Sequence, residues 1–479
     1  MRNKKQKPDP LEIFASAPIP KAVLTNALPA MLGMLMVLIY NMADMFFVGQ
    51  THNALMVAAV SLATPVFLIF MGIGNIFGLG GTSVISRALG QGRKDFASNV
   101  SSFCIWSCIA VGIIMCISVL TFCDSILKFI GASADTWEYA KEYLVIVSYA
   151  GPFFMISTCF SNIIRSEGKP GIAMAGQVIG NLVNIILDPI LILGLNMGVA
   201  GAALATTISN IVSALIYLAF LLSKQNILSI SPRDFSAGHG VLTGVFAIGI
   251  PASLGNLLMS FSQILSNSRI ASHGNDMAVA GYGVAMKITM ITGILCIGFT
   301  AGVQPLLGYC IGAKNYKRFK KALAFTAILA NSLTSLLTLF CYIFTNQLAG
   351  LFLVDPDALM YAVKFSRIII STGFIFGLFF TLSATLQAMG EAGSALIINL
   401  SRQGFVYIPL MFVLDSVFGV DGLVWAQPVA DILATTLVII LYTRAIRRLE
   451  RSAKAETEAT EPINVTEQAN ATEQTEAAK

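Results

Sequence analysis

The chain has 479 residues, of which 56% are hydrophobic and only 11% are Asp, Glu, Lys or Arg. Soluble domains carry about 25% charged residues, so this composition excludes an ordinary soluble enzyme. The formal net charge of +5 comes from basic residues scattered over short loops, a pattern that argues against nucleic-acid binding.

Long, continuous apolar stretches recur along the chain and predict membrane-spanning helices. About 20 apolar residues are needed to cross the roughly 30 Å of hydrocarbon in a bilayer. The stretches do not alternate with a period of two, which argues against the strands of a membrane barrel. We therefore predict an all-α integral membrane protein with twelve helices, over residues 22–48, 54–82, 98–123, 139–162, 172–195, 200–222, 242–270, 277–308, 320–345, 360–386, 394–414 and 422–445.

The distribution of Lys and Arg predicts the orientation of these helices. Of the 30 basic residues, 23 lie at the two ends of the chain or in the loops after the second, fourth, sixth and eighth helices. Loops rich in Lys and Arg stay in the cytoplasm. Both termini are therefore predicted to be cytoplasmic, in a multi-pass protein of the bacterial inner membrane.

The sequence also repeats itself at one constant shift of 222 residues. This shift superposes Pro29 on Pro251, Gly90 on Gly312 and Gly168 on Gly390. Two halves of six helices that enter from the same side form a parallel repeat, and such halves can rock about a central cavity. The predicted domains are a basic N-terminus (1–21), an N-lobe (22–223), a cytoplasmic linker (224–241), a C-lobe (242–448) and a disordered cytoplasmic tail (449–479).

A few acidic residues fall inside the predicted helices. An ionised Asp in a membrane helix costs about 2.5–3.5 kcal/mol, so such acids are functional candidates. Asp44 in the first helix shares a face with Tyr40 and Asn41. The fifth helix carries a polar stripe and the sixth adds a hydroxyl; the residues are Gln177, Asn181, Asn184, Asp188 and Thr206.

Two carboxylates with amide and hydroxyl oxygens nearby suit H⁺ or a hard cation such as Na⁺. At the 222-residue shift, Asp44 corresponds to Ser266 and Asp188 to Leu410, so these two acids occur only in the first half. We predict that Asp44, Asn184, Asp188 and Thr206 couple transport to a cation, with Asp44 and Asp188 binding Na⁺ if sodium is used. The alternative is that each acid is an isolated packing residue.

The roles of three other residues remain open on sequence alone. Lys287 is placed within the eighth helix, where it is compatible with snorkelling, with pairing to an acid or with facing the cavity. We include it among the predicted pocket residues, together with Tyr40, Asn41, Gln177 and Asn181. Arg402 and Asp431 are compatible with an ion pair across the last two helices or with no contact.

Motifs of catalysis and of ATP binding are missing from the sequence. It contains no GxxxxGK[ST], HExxH or GxSxG pattern, and its eight cysteines form no CxxC pair. We therefore predict a protein that is not an enzyme, needs no cofactor and draws its energy from an H⁺ or Na⁺ gradient.

Four stretches carry a family resemblance: residues 27–50, 78–92, 165–206 and 281–313. They resemble the multidrug and toxic compound extrusion (MATE) family, in its MepA and DinF-like branch. The resemblance implies a V-shaped pair of six-helix lobes and H⁺- or Na⁺-coupled export of amphipathic, often cationic drugs and dyes. The branch's cation-site residues match Asp44, Asp188, Asn184 and Thr206, and its neighbouring pocket positions match Tyr40 and Asn181.

The sequence thus predicts a secondary active multidrug efflux transporter. The expected partners are small-molecule drugs and dyes and the membrane lipids, with no nucleic acid and no obligate protein partner. The main alternative is a flippase for a lipid-linked saccharide, which would need a cationic cavity for its pyrophosphate. A membrane scaffold without transport activity is the third possibility.

Overall fold

The computed structural model describes residues 11–51, 54–130, 132–223, 226–238, 240–273, 276–353 and 355–460. These residues form helices joined by short turns, with no strand among them, which confirms the predicted all-α fold. The predictions for residues 1–10 and 461–479 lie outside the described residues. The α-helices are α1 (Glu12–Ala15), α2 (Ile19–Gly49), α3 (Ala54–Gly90), α4 (Lys94–Thr121), α5 (Cys123–Phe129), α6 (Trp137–Ser166), α7 (Pro170–Asp188), α8 (Gly198–Leu221), α9 (Val241–Ala271), α10 (Asp276–Gly312), α11 (Tyr316–Ile343), α12 (Thr345–Gly350), α13 (Pro356–Ile370), α14 (Phe376–Met389), α15 (Ala392–Leu400) and α16 (Tyr407–Thr460).

Eleven helical stretches in the described residues are long and apolar enough to span a membrane, and the last of them, 392–453, covers 62 residues. Gly419 interrupts α16 with a backbone conformation (φ 62°, ψ −147°) that is not helical. Such a conformation favours glycine because a side chain would clash there. With α16 divided at this break, the architecture fits the predicted fold of twelve membrane helices.

Large apolar side chains cover the outside of the helices. Ile114, Leu222, Leu336 and Phe418 are each more than 60% exposed. In water such a surface would be unfavourable, whereas in a bilayer it faces lipid tails that are equally apolar. The structure therefore agrees with a protein that crosses the membrane many times.

The helix boundaries repeat with the same shift as the sequence. Helices α2, α3 and α4 begin and end 222 residues before α9, α10 and α11, respectively. Gly168 and Gly390, which the shift superposes, both adopt positive φ angles, of 78° and 81°. The repeat is therefore a repeat of architecture as well as of sequence. The predicted limits of the two lobes and of the linker between them remain a prediction.

The two halves meet where glycines let helix backbones approach each other. Helix α2 packs on α10, and α3 packs on both α9 and α10. A Cβ atom at Gly80 would lie 2.2 Å from the Val245 carbonyl oxygen, and one at Gly249 would lie 2.1 Å from that of Ile76. A Cβ at Gly302 would lie 2.4 Å from the Asn26 carbonyl oxygen. We call this region, formed by residues 72–90 of α3 with 241–253 of α9 and 298–312 of α10, the closed end.

Both ends of the described chain lie at the closed end. Helix α2 begins three residues earlier than predicted, and α1 precedes it. Helix α16 continues to Thr460, so residues 449–460, which we assigned to a disordered tail, are helical. Ion pairs of Glu450 with Lys320 and of Arg448 with Glu391 hold this extension against the C-terminal half.

Candidate cation-coupling site

The first wall of the candidate site is α2, which carries Tyr40, Asn41 and Asp44. The spacing of these residues places them on neighbouring parts of one helix face. Gly33 lies on the same helix, and a Cβ there would come within 2.5 Å of the Gln177 side-chain oxygen. The absence of a side chain at Gly33 therefore allows α7 to bring its polar stripe against α2.

The second wall is α7, which ends at Asp188. Pro189 follows and begins a π-helical segment, Pro189–Gly194. Proline has no N–H to donate to the preceding turn, so the regular α-helix stops at this point. Asp188 is fully buried, and Asn184, one turn earlier, is 1% exposed.

Asn184 connects Asp188 to α8. Its Nδ2 atom lies 3.5 Å from the Thr206 hydroxyl oxygen. With the amide turned to the orientation that satisfies both of its ends, Asn184 donates to Asp188 Oδ2 at 3.3 Å and accepts from the Thr206 N–H at 3.3 Å. The structure therefore brings together three of the four residues predicted to couple the cation.

The fourth, Asp44, is within electrostatic range of Asp188, and Tyr40 is within range of both acids. One oxygen of each carboxyl group, Oδ1, is buried and has no hydrogen-bond partner among the described residues. The described ion pairs include neither acid. Buried, unpaired carboxylate oxygens are costly, so the site favours binding of a proton or a small cation.

The remaining predicted pocket residues fall in two places. Asn181 lies one turn before Asn184, and its buried Nδ2 also lacks a described hydrogen-bond partner. Lys287 lies on α10 in the other half, where its ammonium group sits 5.2 Å from the centre of the Phe352 ring. Its described partner is thus an aromatic ring and neither of the two acids.

No group of three or more His, Cys, Asp or Glu side chains in the described residues could hold a metal ion. A sodium ion at this site would therefore need amide and hydroxyl oxygens in addition to the two carboxylates. Asn184 and Thr206 supply that chemistry, and hard cations accept such neutral oxygen ligands.

Sequence reasoning missed two residues near this half of the protein. Tyr143 on α6 lies within electrostatic range of Asp44, Asp188 and Tyr40, which belong to other segments of the chain. Glu167, in the turn after α6, is fully buried. Its carboxylate accepts hydrogen bonds from the backbone N–H groups of Ile227 at 3.0 Å and Leu228 at 2.7 Å.

Burial raises the pKa of Glu167 to about 7, although these two N–H donors and Lys169 at 3.7 Å act in the opposite direction. The residues that Glu167 holds belong to the predicted linker between the lobes. The sequence shows Glu167 only as a charged residue in a short loop, and such residues are usually exposed to solvent.

The buried acids of the second half are paired. Arg402 Nε lies 2.8 Å from Asp431 Oδ1, which settles the alternative left open by the sequence. Gln427 and Thr372 donate to the same carboxylate at 3.0 and 3.2 Å. The guanidinium group also packs within about 5.3 Å of three Phe rings, those of Phe376, Phe379 and Phe380.

Comparison with known proteins adds independent findings. The sequence model of the MatE family matches the chain twice, at residues 29–190 and 251–413. The chain is similar to "Multidrug export protein MepA" of Staphylococcus aureus (strain MSSA476), with 32% identity over 91% of the chain and 96% of the relative. It is equally similar to the protein of that name in Staphylococcus haemolyticus (strain JCSC1435), with 32% identity over 92% of the chain and 97% of the relative.

Solved structures resemble the chain along almost its whole length. One is described as the "Outward-facing conformation of a multidrug resistance MATE family transporter of the MOP superfamily". It has a TM-score of 0.88 and 25% identity, and the match covers 93% of this chain and 100% of that one. A "Crystal structure of MATE in complex with MaL6" has a TM-score of 0.88 and 26% identity, with the same coverage of both chains.

Proposed function

The chain belongs to the MATE family of membrane transporters, and from this premise we propose that it exports amphipathic, mostly cationic compounds in exchange for H⁺ or Na⁺. Two relatives of about the same length are named multidrug export proteins, which supports export of several drugs rather than of one metabolite. We place the protein in a bacterial inner membrane with both termini in the cytoplasm, as the distribution of Lys and Arg predicts.

The observation that carries the coupling proposal is the pair of unpaired acids in the first half. Asp44 and Asp188 each keep one buried oxygen without a described partner. Two neighbouring carboxylates in a medium of low dielectric constant repel each other, and a bound proton or cation removes that repulsion. The site is therefore suited to pick up and release a cation once in each transport cycle.

The proposal also requires a cavity that opens to one side of the membrane at a time. The two halves meet at the closed end through the glycine contacts described above. The termini lie at the closed end, and we propose that they are cytoplasmic. A protein that is closed on the cytoplasmic side has its cavity open to the outside, so this arrangement fits an outward-open state. Cation binding and drug binding must each favour either the inward-open or the outward-open state. The effect of one binding event on the affinity for the other is then a coupling free energy.

The flippase alternative fits the charges less well. A pyrophosphate headgroup would need free cationic side chains in the cavity. Of the two candidates, Arg402 is paired with Asp431, and Lys287 packs on Phe352. These contacts support drug export over transport of a lipid-linked saccharide.

The test is dye export by the purified protein in lipid vesicles. Ethidium movement is measured under an imposed pH gradient and, separately, under a sodium gradient. We expect one of the two gradients to drive export in the wild type, and Asp44→Asn and Asp188→Asn to abolish that dependence. Asp124→Asn, an exposed acid paired with Lys141, is the matched control and should export normally. Unchanged gradient-driven export in both site variants would contradict the proposal.

A further inference from the structure

Two arginines connect the halves of the protein at the closed end. The first is Arg87, near the end of α3. Its Nη1 donates to the Met389 carbonyl oxygen of α14 at 2.8 Å, and its Nε donates to the Ser83 carbonyl oxygen at 3.1 Å. Ser83 itself reaches across, donating from its hydroxyl group to the Gln387 carbonyl oxygen at 2.5 Å. The last turn of α14 is thus held by two side chains of the other half.

Gly390 makes room for this contact. It ends α14 with a φ of 81°, and a Cβ built there would lie 1.4 Å from Arg87 Nη1. Gly312 on α10 makes room for the Arg87 backbone, since a Cβ there would lie 2.0 Å from the Arg87 carbonyl oxygen. The arginine is therefore fitted against the opposite half, with no space for a further side chain.

The second arginine makes the reciprocal connection. Arg318, on α11 of the C-terminal half, donates from Nε to the Phe14 carbonyl oxygen at 2.6 Å and from Nη2 to that of Ile13 at 3.1 Å. Phe14 is fully buried, and its ring centre lies 5.6 Å from that of Tyr309 on α10. Since α1 leads directly into α2, this contact ties the start of the N-terminal half to the C-terminal half.

The chemistry of these contacts suits a switch. A guanidinium group is always charged and offers several N–H donors in a fixed plane, so it can hold two carbonyl oxygens at once. Carbonyl oxygens at the C-terminal end of α14 carry the partial negative charge of the helix dipole. Water can replace these oxygens as acceptors when the halves separate, so the contacts are strong enough to favour closure and weak enough to open.

We propose that Arg87 and Arg318 form a latch that holds the closed end shut and must be released before the cavity can open on that side. They are positioning residues for the transport cycle and do not contact the exported compound. The role of the latch in transport rests on the proposed function. The latch itself is a property of the protein without drug or ion gradient.

The test measures the distance between the halves by pulsed electron paramagnetic resonance. Spin labels are placed at Asp95 and Lys317, which are exposed, equivalent positions at the starts of α4 and α11. The native cysteines are replaced, and the background protein is kept only if it unfolds at the same temperature in detergent as the wild type. In lipid without drug, we expect the wild type to show mainly the short distance of the closed end.

Arg87→Gln and Arg318→Gln should each raise the ratio of open to closed protein about tenfold, because hydrogen bonds to a charged donor are lost. The double variant should raise it further, and Arg87→Lys should recover part of the closed population. Gly390→Ala tests the latch from the opposite half, since its Cβ would displace Arg87, and it should shift the ratio in the same direction.

Two controls separate the latch from general effects. Arg93→Gln removes an exposed positive charge at the same end, where Arg93 packs on Phe96 within one half. Gly92→Ala imposes a side chain at a φ of 74° where no atom lies within 4 Å. Neither should change the distance distribution. An unchanged distribution in Arg87→Gln, Arg318→Gln and Gly390→Ala would overturn the latch, whereas failure of the wild type to export dye would overturn the proposed function alone.

Discussion

The two halves share one helical plan but treat their buried acids in opposite ways. In the first half, Asp44 and Asp188 each have a buried oxygen without a described partner. In the second half, Asp431 is bonded to Arg402, Gln427 and Thr372. The Asp431 charge thus has a fixed partner of opposite sign, whereas the buried oxygens of Asp44 and Asp188 have none among the described residues. A duplicated scaffold can thus keep a satisfied acid in one half and, as we propose, use the acids of the other half for ion coupling.

The largest expected effect comes from breaking the satisfied pair. Asp431→Asn leaves the Arg402 charge buried without its carboxylate, which should lower the free energy of unfolding by about 3–5 kcal/mol. Thermal unfolding of the protein in detergent measures this change. The double variant Arg402→Met with Asp431→Leu removes both charges and should recover most of the loss. A single variant as stable as the wild type would contradict the structural role of the pair.

An Asp→Asn change in the first half should affect transport much more than stability. Asp188→Asn removes a costly buried charge, so we expect the free energy of unfolding to change by no more than about 1 kcal/mol. Gradient-driven ethidium export should nevertheless fall at least about tenfold, because the variant no longer takes up a cation at this position. If Asp188→Asn unfolds as readily as Asp431→Asn, the distinction between the halves is wrong.

Glu167 is a buried acid of the first half that should make the stability of the protein depend on pH. Its pKa is raised from 4.5 to about 7, so the folded protein binds more protons than the unfolded chain between these values. The contribution of Glu167 to stability is therefore fully present below pH 4.5 and is lost as the pH rises towards 7. The loss is at most about 1.4 kcal/mol for each pH unit.

Thermal unfolding between pH 5 and pH 8 should therefore show a smaller pH dependence in Glu167→Gln than in the wild type. Glu138→Gln, at an exposed position near the start of α6, is the matched control and should retain the wild-type dependence. Identical curves for the wild type and Glu167→Gln would mean that this carboxyl group does not titrate in the range.

The smallest expected effect concerns Lys287. Lys287→Met removes a cation–π contact with Phe352 and keeps a long apolar side chain, so stability should fall by no more than about 1 kcal/mol. Ethidium export should be unchanged, because the described contact of Lys287 lies outside the acid site. A large loss of export with normal stability would instead place Lys287 on the transport pathway.

Much of this architecture was predictable because it depends on local properties of the chain. Apolar stretches must form helices in a bilayer, where every backbone polar group needs an internal partner. The 222-residue shift, seen first in residues such as Gly90 and Gly312, reappeared in the bounds of three pairs of helices. Asp188, Asn184 and Thr206 were predicted to act together, and the structure places them in contact.

Three features of the structure were not predictable from the sequence. The sequence predicts a disordered tail from residue 449, whereas α16 continues to Thr460, because Arg448 and Glu450 pair with residues far away in sequence. The sequence does not single out Tyr143 and Glu167, because the groups that they approach, such as Asp188 and Leu228, lie on other segments. In each case the decisive contact joins segments that are not adjacent in the sequence.

The amino-acid sequence by itself determined the membrane class, the number and order of the membrane helices, their repeat and the half that carries Asp44 and Asp188. These properties follow from hydrophobicity, spacing and residue type, which act locally. Only the tertiary structure decided that Arg402 neutralises Asp431, that Glu167 binds the linker and that Arg87 joins the two halves. Such pairings depend on which helices become neighbours, and a side chain acquires its partner only when the packed fold brings the two together.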